Sequence, residues 1–179
     1  AICYIIKKWV GLNKRIEWLL VDICESFIVI ASFVLGWLYQ LNNKYIIGLN
    51  DVLSDRLKYI AQTMSTYNIK LWGQYIEEHG NGGSIIAKDN YFFIDNSFVR
   101  CMYEYGAIVF VLVIVLIFMA QKKMLDNEKY IMCLAFFIVT IASFAEHHLL
   151  EIAYNPFIFS VFACMSNNDK VIMEEKRIC

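Results

Sequence analysis

The chain has 179 residues, of which 59% are hydrophobic and 18% are charged, whereas soluble globular proteins have about 45–50% apolar and about 25% charged residues. The hydrophobic residues occur in long blocks, which is typical of a protein that crosses a bilayer several times and argues against a soluble domain. The net charge is −1, so no basic field favours nucleic acid, and we exclude a nucleic-acid partner.

The first complete apolar block follows a basic segment with four cations, Lys7, Lys8, Lys14 and Arg15. Short basic loops remain in the cytoplasm, so this end of the chain is expected to face inward. Residues 16–41 are long enough to cross a hydrocarbon core of about 30 Å as one helix. Residues 1–6 resemble the end of an earlier apolar run, and the chain opens without a signal-peptide pattern, so we expect the C-terminal part of a longer protein.

Alternation across the membrane predicts an all-α integral membrane protein in which residues 1–179 form a single domain. A large, partly helical loop, residues 42–100, follows the first crossing and is therefore expected on the extracytoplasmic side. The chain would cross the bilayer about four times, with the later crossings at residues 101–121, 130–148 and 150–166.

The last of these crossings has two interpretations. Residues 150–166 are few and include Pro156, which suits a segment that enters and leaves the bilayer on the same side. The tail after them carries Lys170, Lys176 and Arg177, and such residues favour the cytoplasm. We therefore favour a full crossing.

The outer loop contains a predicted helix that begins at Asn50, a residue type that caps helix N-termini. One apolar stripe follows at helical spacing, formed by Leu53, Leu57, Ile60 and Met64. Arg56 lies about 60° from the centre of this stripe, so its guanidinium should be directed at a partner. That partner is a carboxylate such as Asp55 or Asp95, which the pattern favours, or else an anionic group of a ligand.

The outer end of the third predicted crossing carries Glu146, His147 and His148, followed by Glu151. On a helix His147 and Glu151 would share a face, whereas His148 would point about 100° away. Ionisable groups at a membrane rim suit proton transfer or an anionic headgroup, although a plain polar helix end has the same pattern. The H-E-x-x-H spacing is absent and no cysteine is near, so we predict no metal and no cofactor.

Three further groups in the loop have structural interpretations that compete with functional ones. Asp95 and Asn96 precede the second crossing and are expected to cap its helix. Residues 80–83 are glycine-rich but lack the Lys-Ser/Thr ending of a phosphate loop, so we expect a turn. Aromatic residues form either a membrane-interface belt, which we favour, or a surface that stacks on sugars; they are Tyr67, Trp72, Tyr75, Tyr91, Phe92 and Phe93.

Three motifs occur in register with this topology. They are LNDVLSDRL at residues 49–57 with the later Trp72-Gly73, IDNSF at residues 94–98 with Tyr105-Gly106, and AEHHLLE at residues 145–151 with Tyr154-Asn155-Pro156-Phe157. Taken together, these segments resemble the C-terminal half of Wzy-type bacterial polysaccharide polymerases, which join repeat units of capsule, exopolysaccharide or O-antigen. Asp55 departs from the pattern, because the family often has glycine at that position.

The resemblance implies a glycosyltransferase that polymerises undecaprenyl-pyrophosphate-linked oligosaccharide units on the outer face of the bacterial cytoplasmic membrane. A leaving pyrophosphate needs a fixed cation and an acceptor hydroxyl needs a general base, so the expected catalytic residues are Arg56, His147 and Glu146. Substrate contacts are expected from Asn50, Ser54, Asp95, Asn96, His148 and Asn155. Expected partners are the lipid-linked oligosaccharide, membrane lipids, and flippase and chain-length regulator proteins; a fragment of the enzyme could be inactive alone.

Other functions remain open. An O-antigen ligase-like enzyme would share the topology but would transfer the glycan to lipid A. A fragment of a polysaccharide flippase or another transporter would place functional charges near the middle of the bilayer, whereas here ionisable residues gather at the outer rim and loop. A non-catalytic interaction protein would leave Arg56 and His147 without a shared pocket.

Overall fold

The computed structural model describes residues 14–79 and 91–151, the side chains of residues 14, 15 and 17 aside. The regular secondary structure in these ranges is helical, with no strand; His79 and Phe92 pair through an isolated bridge. The α-helices in these ranges are α1 Lys14–Gln40, α2 Lys44–Val52, α3 Arg56–Thr66, α4 Ser97–Arg100, α5 Ala107–Asp126 and α6 Tyr130–Ala142. A π-helical turn, Cys101–Tyr105, follows α4, and a 3₁₀ turn, His148–Leu150, lies beyond α6.

Helices α1 and α5 are long and apolar enough to cross a membrane. The Trp18–Gln40 part of α1 has 23 residues and mean hydropathy 2.1, and α5 has 20 residues and mean hydropathy 2.3. At 1.5 Å per residue these lengths are about 34 and 30 Å, which match a hydrocarbon core of about 30 Å. The all-α class is therefore confirmed for the described residues, and the helix predicted at residues 16–41 is confirmed to within two residues at each end.

The second predicted helix, residues 101–121, is displaced along the chain. Residues 101–105 form the π-helical turn and Gly106 adopts φ 98°, so α5 begins at the following residue. It continues past the predicted end because Met124 and Leu125 belong to the hydrophobic core. A hydropathy pattern does not reveal a left-handed glycine, and the prediction therefore placed the start too early.

The third predicted helix, residues 130–148, ends early. Helix α6 stops at Ala142 after 13 residues, a length of about 20 Å that is shorter than a bilayer core. The Ser143 carbonyl accepts a hydrogen bond from the Ser97 backbone N–H at 2.9 Å, so the chain beyond α6 is held in turns. The described part thus has two candidate crossings, and the fourth predicted crossing, residues 150–166, lies outside it except for its first two residues.

The predicted helix start at Asn50 is wrong, because Asn50 lies inside α2. Ser54 and Asp55 are left-handed, with φ 53° and 66°, and separate α2 from α3. The Asn50 side chain still stabilises the start of α3: its Oδ1 accepts from the Lys58 backbone N–H at 3.0 Å, and its Nδ2 donates to Asp55 Oδ1 at 2.8 Å. The previous helix therefore supplies a bond that an N-cap residue normally makes.

The apolar stripe of α3 is confirmed, and it faces α1. Leu57 and Ile60 are buried, and Leu53 and Met64 pack against the same cluster. A methyl group on Gly36 of α1 would lie 2.4 Å from Ile60 Cγ2, so the side chain of one helix meets the backbone of the other. Helix α3 is therefore folded back against the C-terminal part of α1.

A buried polar cluster joins α1, α5 and α6. Glu25 Oε1 accepts from Gln121 Nε2 at 2.7 Å, and Cys133 Sγ donates to Gln121 Oε1 at 2.9 Å. All three residues are buried. Because a polar group without a partner is costly away from water, these bonds favour one register of the three helices.

Two glycines attach the segment after α3 to the start of α5. Gly73 and Gly106 are both left-handed, with φ 81° and 98°. A Cβ on Gly106 would lie 2.3 Å from Gly73 N, and a Cβ on Gly73 would lie 2.2 Å from Glu104 O. The Ala107 N–H, which has no partner within its own helix, donates to Lys70 O at 3.0 Å.

Replacing Gly106 by alanine is expected to destabilise the fold, because the new Cβ would meet Gly73 and a left-handed conformation costs an L-residue about 1–2 kcal/mol. Gly48→Ala is the matched control, since nothing lies within 4 Å of that position in α2 and alanine favours a helix by about 0.5–1 kcal/mol. Thermal unfolding in detergent should give a lower midpoint for Gly106→Ala and an unchanged or higher one for Gly48→Ala. Equal midpoints would contradict the contact.

Candidate functional site

Asn96 connects three separate parts of the chain. Its Oδ1 accepts from the backbone N–H groups of Phe98 and Val99 at 3.0 and 2.9 Å. Asn96 therefore caps the short helix α4, whereas the prediction was that Asp95 and Asn96 cap the second crossing, which begins at Ala107. Its Nδ2 donates to Ser32 Oγ in α1 at 3.0 Å and to Phe144 O after α6 at 2.8 Å. The residue is 1% exposed, so its amide positions the surrounding backbone and does not reach solvent.

Ser97, the next residue, also binds the segment that follows α6, residues 143–149, which we call the rim segment. Its Oγ donates to Glu146 O and accepts from Leu149 N at 3.2 Å, and its backbone N–H donates to Ser143 O at 2.9 Å. Residues 143–149 are thus held against α4 at three points. We call Asn96 and Ser97 together the Asn96–Ser97 anchor.

Arg56 reaches two carboxylates from distant parts of the sequence. Its Nη2 lies 3.1 Å from Glu146 Oε1, and its Nε lies 3.5 Å from Asp95 Oδ2. Asp95 is one of the partners expected for this guanidinium. Asp55, the other expected partner, is not paired with Arg56, because its carboxylate accepts a hydrogen bond from the Asn50 side chain. The Arg56 side chain is 31% exposed and therefore remains accessible to a ligand.

His147 lies deeper than Arg56, with 17% of its side chain exposed. Its Nε2 is 3.3 Å from Glu151 Oε1 and its Nδ1 is 4.0 Å from Asp95 Oδ1. Burial lowers the pKa of His147 below its ordinary value, and the neighbouring His148 and Arg100 lower it further, against Glu151 and Asp95. The neutral imidazole is therefore favoured near pH 7.

The helix predicted at residues 130–148 ends at Ala142, yet His147 and Glu151 do meet. The two imidazoles also meet, with ring centres 3.9 Å apart, instead of pointing about 100° away from each other as they would on a helix. His148 Nδ1 lies 3.1 Å from Glu151 Oε2. We call the six residues of this site the ionisable cluster: Arg56, Asp95, Glu146, His147, His148 and Glu151.

Asp95 lies between the cation and the imidazole. Burial raises the pKa of Asp95 above its ordinary value, Arg56 opposes that rise, and Glu146 adds to it. The carboxyl is 22% exposed. A carboxyl in this environment can orient Arg56 and His147 and can itself exchange a proton more readily than a fully solvated one.

Sequence reasoning missed Arg100. Its Nη2 contacts both carboxylate oxygens of Glu78 at 2.6 and 2.8 Å, and its Nη1 lies 3.2 Å from Glu104. The i,i+4 spacing to Glu104 was the available sequence signal, whereas Glu78 is 22 residues away. Arg100 also lines a cavity of about 70 Å³ that reaches His147, with walls formed by Ser97, Arg100, Tyr105, His147, Leu150 and Glu151.

The other predicted site residues lie apart from the cluster or outside the described chain. Asn50 is buried in α2, and Ser54 is exposed in the turn before Arg56. Asn155 and residues 80–83 fall outside the described ranges.

The predicted aromatic surface divides into two groups. Phe92 and Phe93 are buried, which corrects their placement on a surface. Phe93 contacts the edge of His147 with ring centres 5.0 Å apart, and its ring centre lies 4.9 Å from the Arg100 guanidinium. Trp72 and Tyr75 are exposed, and both surface interpretations stay open for them.

No protein-family model, curated protein or solved structure matches the chain. The resemblance to polysaccharide polymerases therefore stays a prediction that rests on its three motifs. Three positions in those motifs have a local physical explanation. Asp55, where the family often has glycine, has φ 66°, a conformation that glycine adopts without steric cost; and the motif glycines Gly73 and Gly106 touch each other.

Asn96→Ala is expected to destabilise the fold by more than Ser32→Ala. Alanine at 96 leaves two buried N–H groups and the Phe144 carbonyl without their partner, at about 1–3 kcal/mol for each buried group. Ser32→Ala removes one partner of the same amide and is the matched control, although Ser32 also donates to Ile28 O. Denaturant unfolding of both variants measures the difference, and equal losses would argue against the central role of Asn96.

Proposed function

We propose that the protein is a membrane glycosyltransferase that polymerises lipid-pyrophosphate-linked oligosaccharide units on the outer face of the cytoplasmic membrane. The observation that carries the proposal is the meeting of Arg56, Asp95 and His147, which come from three separate segments, at one partly exposed place. The two apolar helices α1 and α5 support membrane residence. Further crossings, the outward orientation of residues 42–100, and partner flippase and chain-length regulator proteins belong to the proposal.

Arg56 would stabilise the leaving diphosphate. Glycosyl transfer breaks the bond between the sugar C1 and the diphosphate oxygen, and the departing group keeps the electron pair. A guanidinium binds two phosphate oxygens side by side and cannot lose its charge near neutral pH. The ligand would replace Glu146, whose side chain is 48% exposed and can turn into solvent.

His147 would accept the proton of the acceptor hydroxyl as the new bond to C1 forms. The Glu151 carboxylate near Nε2 favours the tautomer with its proton on that nitrogen. This leaves Nδ1 as the basic atom; within the described chain Nδ1 is buried and makes no hydrogen bond, so the His147 side chain would have to turn for an acceptor hydroxyl to reach it. Glu146, the other expected base, is paired with Arg56 in the free protein and would turn into solvent when the ligand binds, so His147 is the better candidate.

A transporter is the second candidate, and one observation favours it. Glu25 is 0% exposed inside α1, and buried ionisable groups within a spanning helix mark ion or substrate paths in transporters. Its bond to Gln121 also suits a purely structural role. Loss of transport without loss of polymer in Glu25→Gln would favour this alternative.

Arg56→Ala and His147→Ala are each expected to abolish polymer and leave single lipid-linked repeat units, because one removes the cation at the leaving group and the other removes the base. Lys58→Ala is the matched control, since it deletes an exposed cation from the same helix. Complementation of a deletion strain, followed by electrophoresis of its glycans, measures chain length. Normal chain length in both site variants would refute the proposal.

A further inference from the structure

Four side chains of the ionisable cluster are metal ligands by chemical type. Glu146, His147 and His148 each offer one ligand atom, and these three atoms lie within 4.8 Å of one another. The Glu151 carboxylate lies 3.3 Å from His147 Nε2 and 3.1 Å from His148 Nδ1. From these contacts we infer that the four residues form a binding site for a zinc-type divalent cation.

The distances suit a small tetrahedral ion. Zinc binds histidine nitrogen and carboxylate oxygen at about 2.0–2.2 Å, so neighbouring ligand atoms lie about 3.3 Å apart. Both Glu151 contacts are already near that value. The ligand atoms of Glu146, His147 and His148 must approach one another by at most about 1.5 Å, which rotation of side chains can supply. Glu146 would leave its ion pair with Arg56 and bind the metal ion, and Arg56 would remain paired with Asp95.

The early end of α6 makes this arrangement possible. Adjacent histidines on an α-helix would point about 100° apart and could not share an ion. Because the helix stops at Ala142 and the Asn96–Ser97 anchor holds the following turns, His147 and His148 converge. The absence of an H-E-x-x-H spacing, which argued against zinc in the sequence, therefore does not apply to this backbone.

The local charge also favours a dication. The ionisable cluster and the adjoining Arg100 network together contain five carboxylates, Asp95, Glu146, Glu151, Glu78 and Glu104, and two guanidiniums, Arg56 and Arg100. With neutral histidines, the formal charge is −3. A bound Zn²⁺ would reduce this excess to −1, and neutral imidazole is the form that binds metal.

The site stands independently of the proposed function, but one consequence rests on that function. A zinc ion bound at His147 Nε2 would leave the proton of the neutral imidazole on Nδ1, so Nδ1 could no longer accept the proton of the acceptor hydroxyl. Zinc would then inhibit glycan polymerisation.

Titration of the metal-stripped, detergent-purified protein with Zn²⁺ tests the site in the absence of any glycan. Isothermal calorimetry should show one ion per chain, and His148→Ala and Glu151→Gln should each weaken binding about tenfold or more. His79→Ala is the matched control: His79 is also an imidazole near a carboxylate, Glu77 at 3.8 Å, but its side chain is 49% exposed and outside the cluster. Its affinity should be unchanged.

Cobalt gives a second measurement that does not depend on whether the variants fold. Co²⁺ in place of Zn²⁺ should produce the visible absorption of a tetrahedral site in the wild-type protein, and Zn²⁺ should abolish it. Absence of saturable binding, or equal loss of affinity in His79→Ala, would overturn the inference. Because no substrate is present, a failure here leaves the test of Arg56 and His147 in polymer synthesis unaffected.

Discussion

The site depends on the hydrogen bonds of two adjacent buried residues, Asn96 and Ser97. Their side chains and backbone bind α1 at Ser32, the turn after α6 at Phe144, and the rim segment at Glu146. Leaving one buried polar group of this kind without its partner costs folding free energy. The hydrogen bonds to the three segments therefore favour one common arrangement of all three. Arg56 and His147 share a site for two reasons. The hydrogen bonds of Asn96 and Ser97 fix the segment that contains His147, and the packing of α3 on α1 fixes the helix that begins at Arg56.

Much of the fold could be predicted from local sequence patterns, and the predictions that were wrong share one cause. The length of α1, the apolar stripe of α3 and the cap by Asn96 depend on residues near one another in sequence. The end of α6 depends on Ser97, far upstream, and the start of α5 depends on a close approach to Gly73. Such contacts connect residues that are far apart in the chain, so neither hydropathy nor periodicity contains them.

The residues of the candidate site also fall into those that the sequence could identify and those that only distant contacts reveal. Residue type and helical spacing singled out Arg56, Glu146 and His147, and the resemblance assigned catalytic roles to them; the structure brings these three residues together. Residue type could not tell that Asn50 and Asn96 have their side chains committed inside the protein. It also gave no sign that Arg100, whose side chain is 12% exposed, lines the same cavity as His147, since Glu78, its strongest partner, comes from a distant segment.

The bond between Asn96 and Ser32 has a consequence for how a molecule enters. Ser32 lies eight residues before the last residue of α1, which is about 12 Å along the helix axis. The Asn96–Ser97 anchor thus lies about two helical turns before the end of α1, a helix that is long and apolar enough to cross a membrane. In the proposed orientation, a lipid-linked substrate would approach the anchored segments sideways from the outer leaflet, whereas a water-soluble molecule would have to enter between the helices.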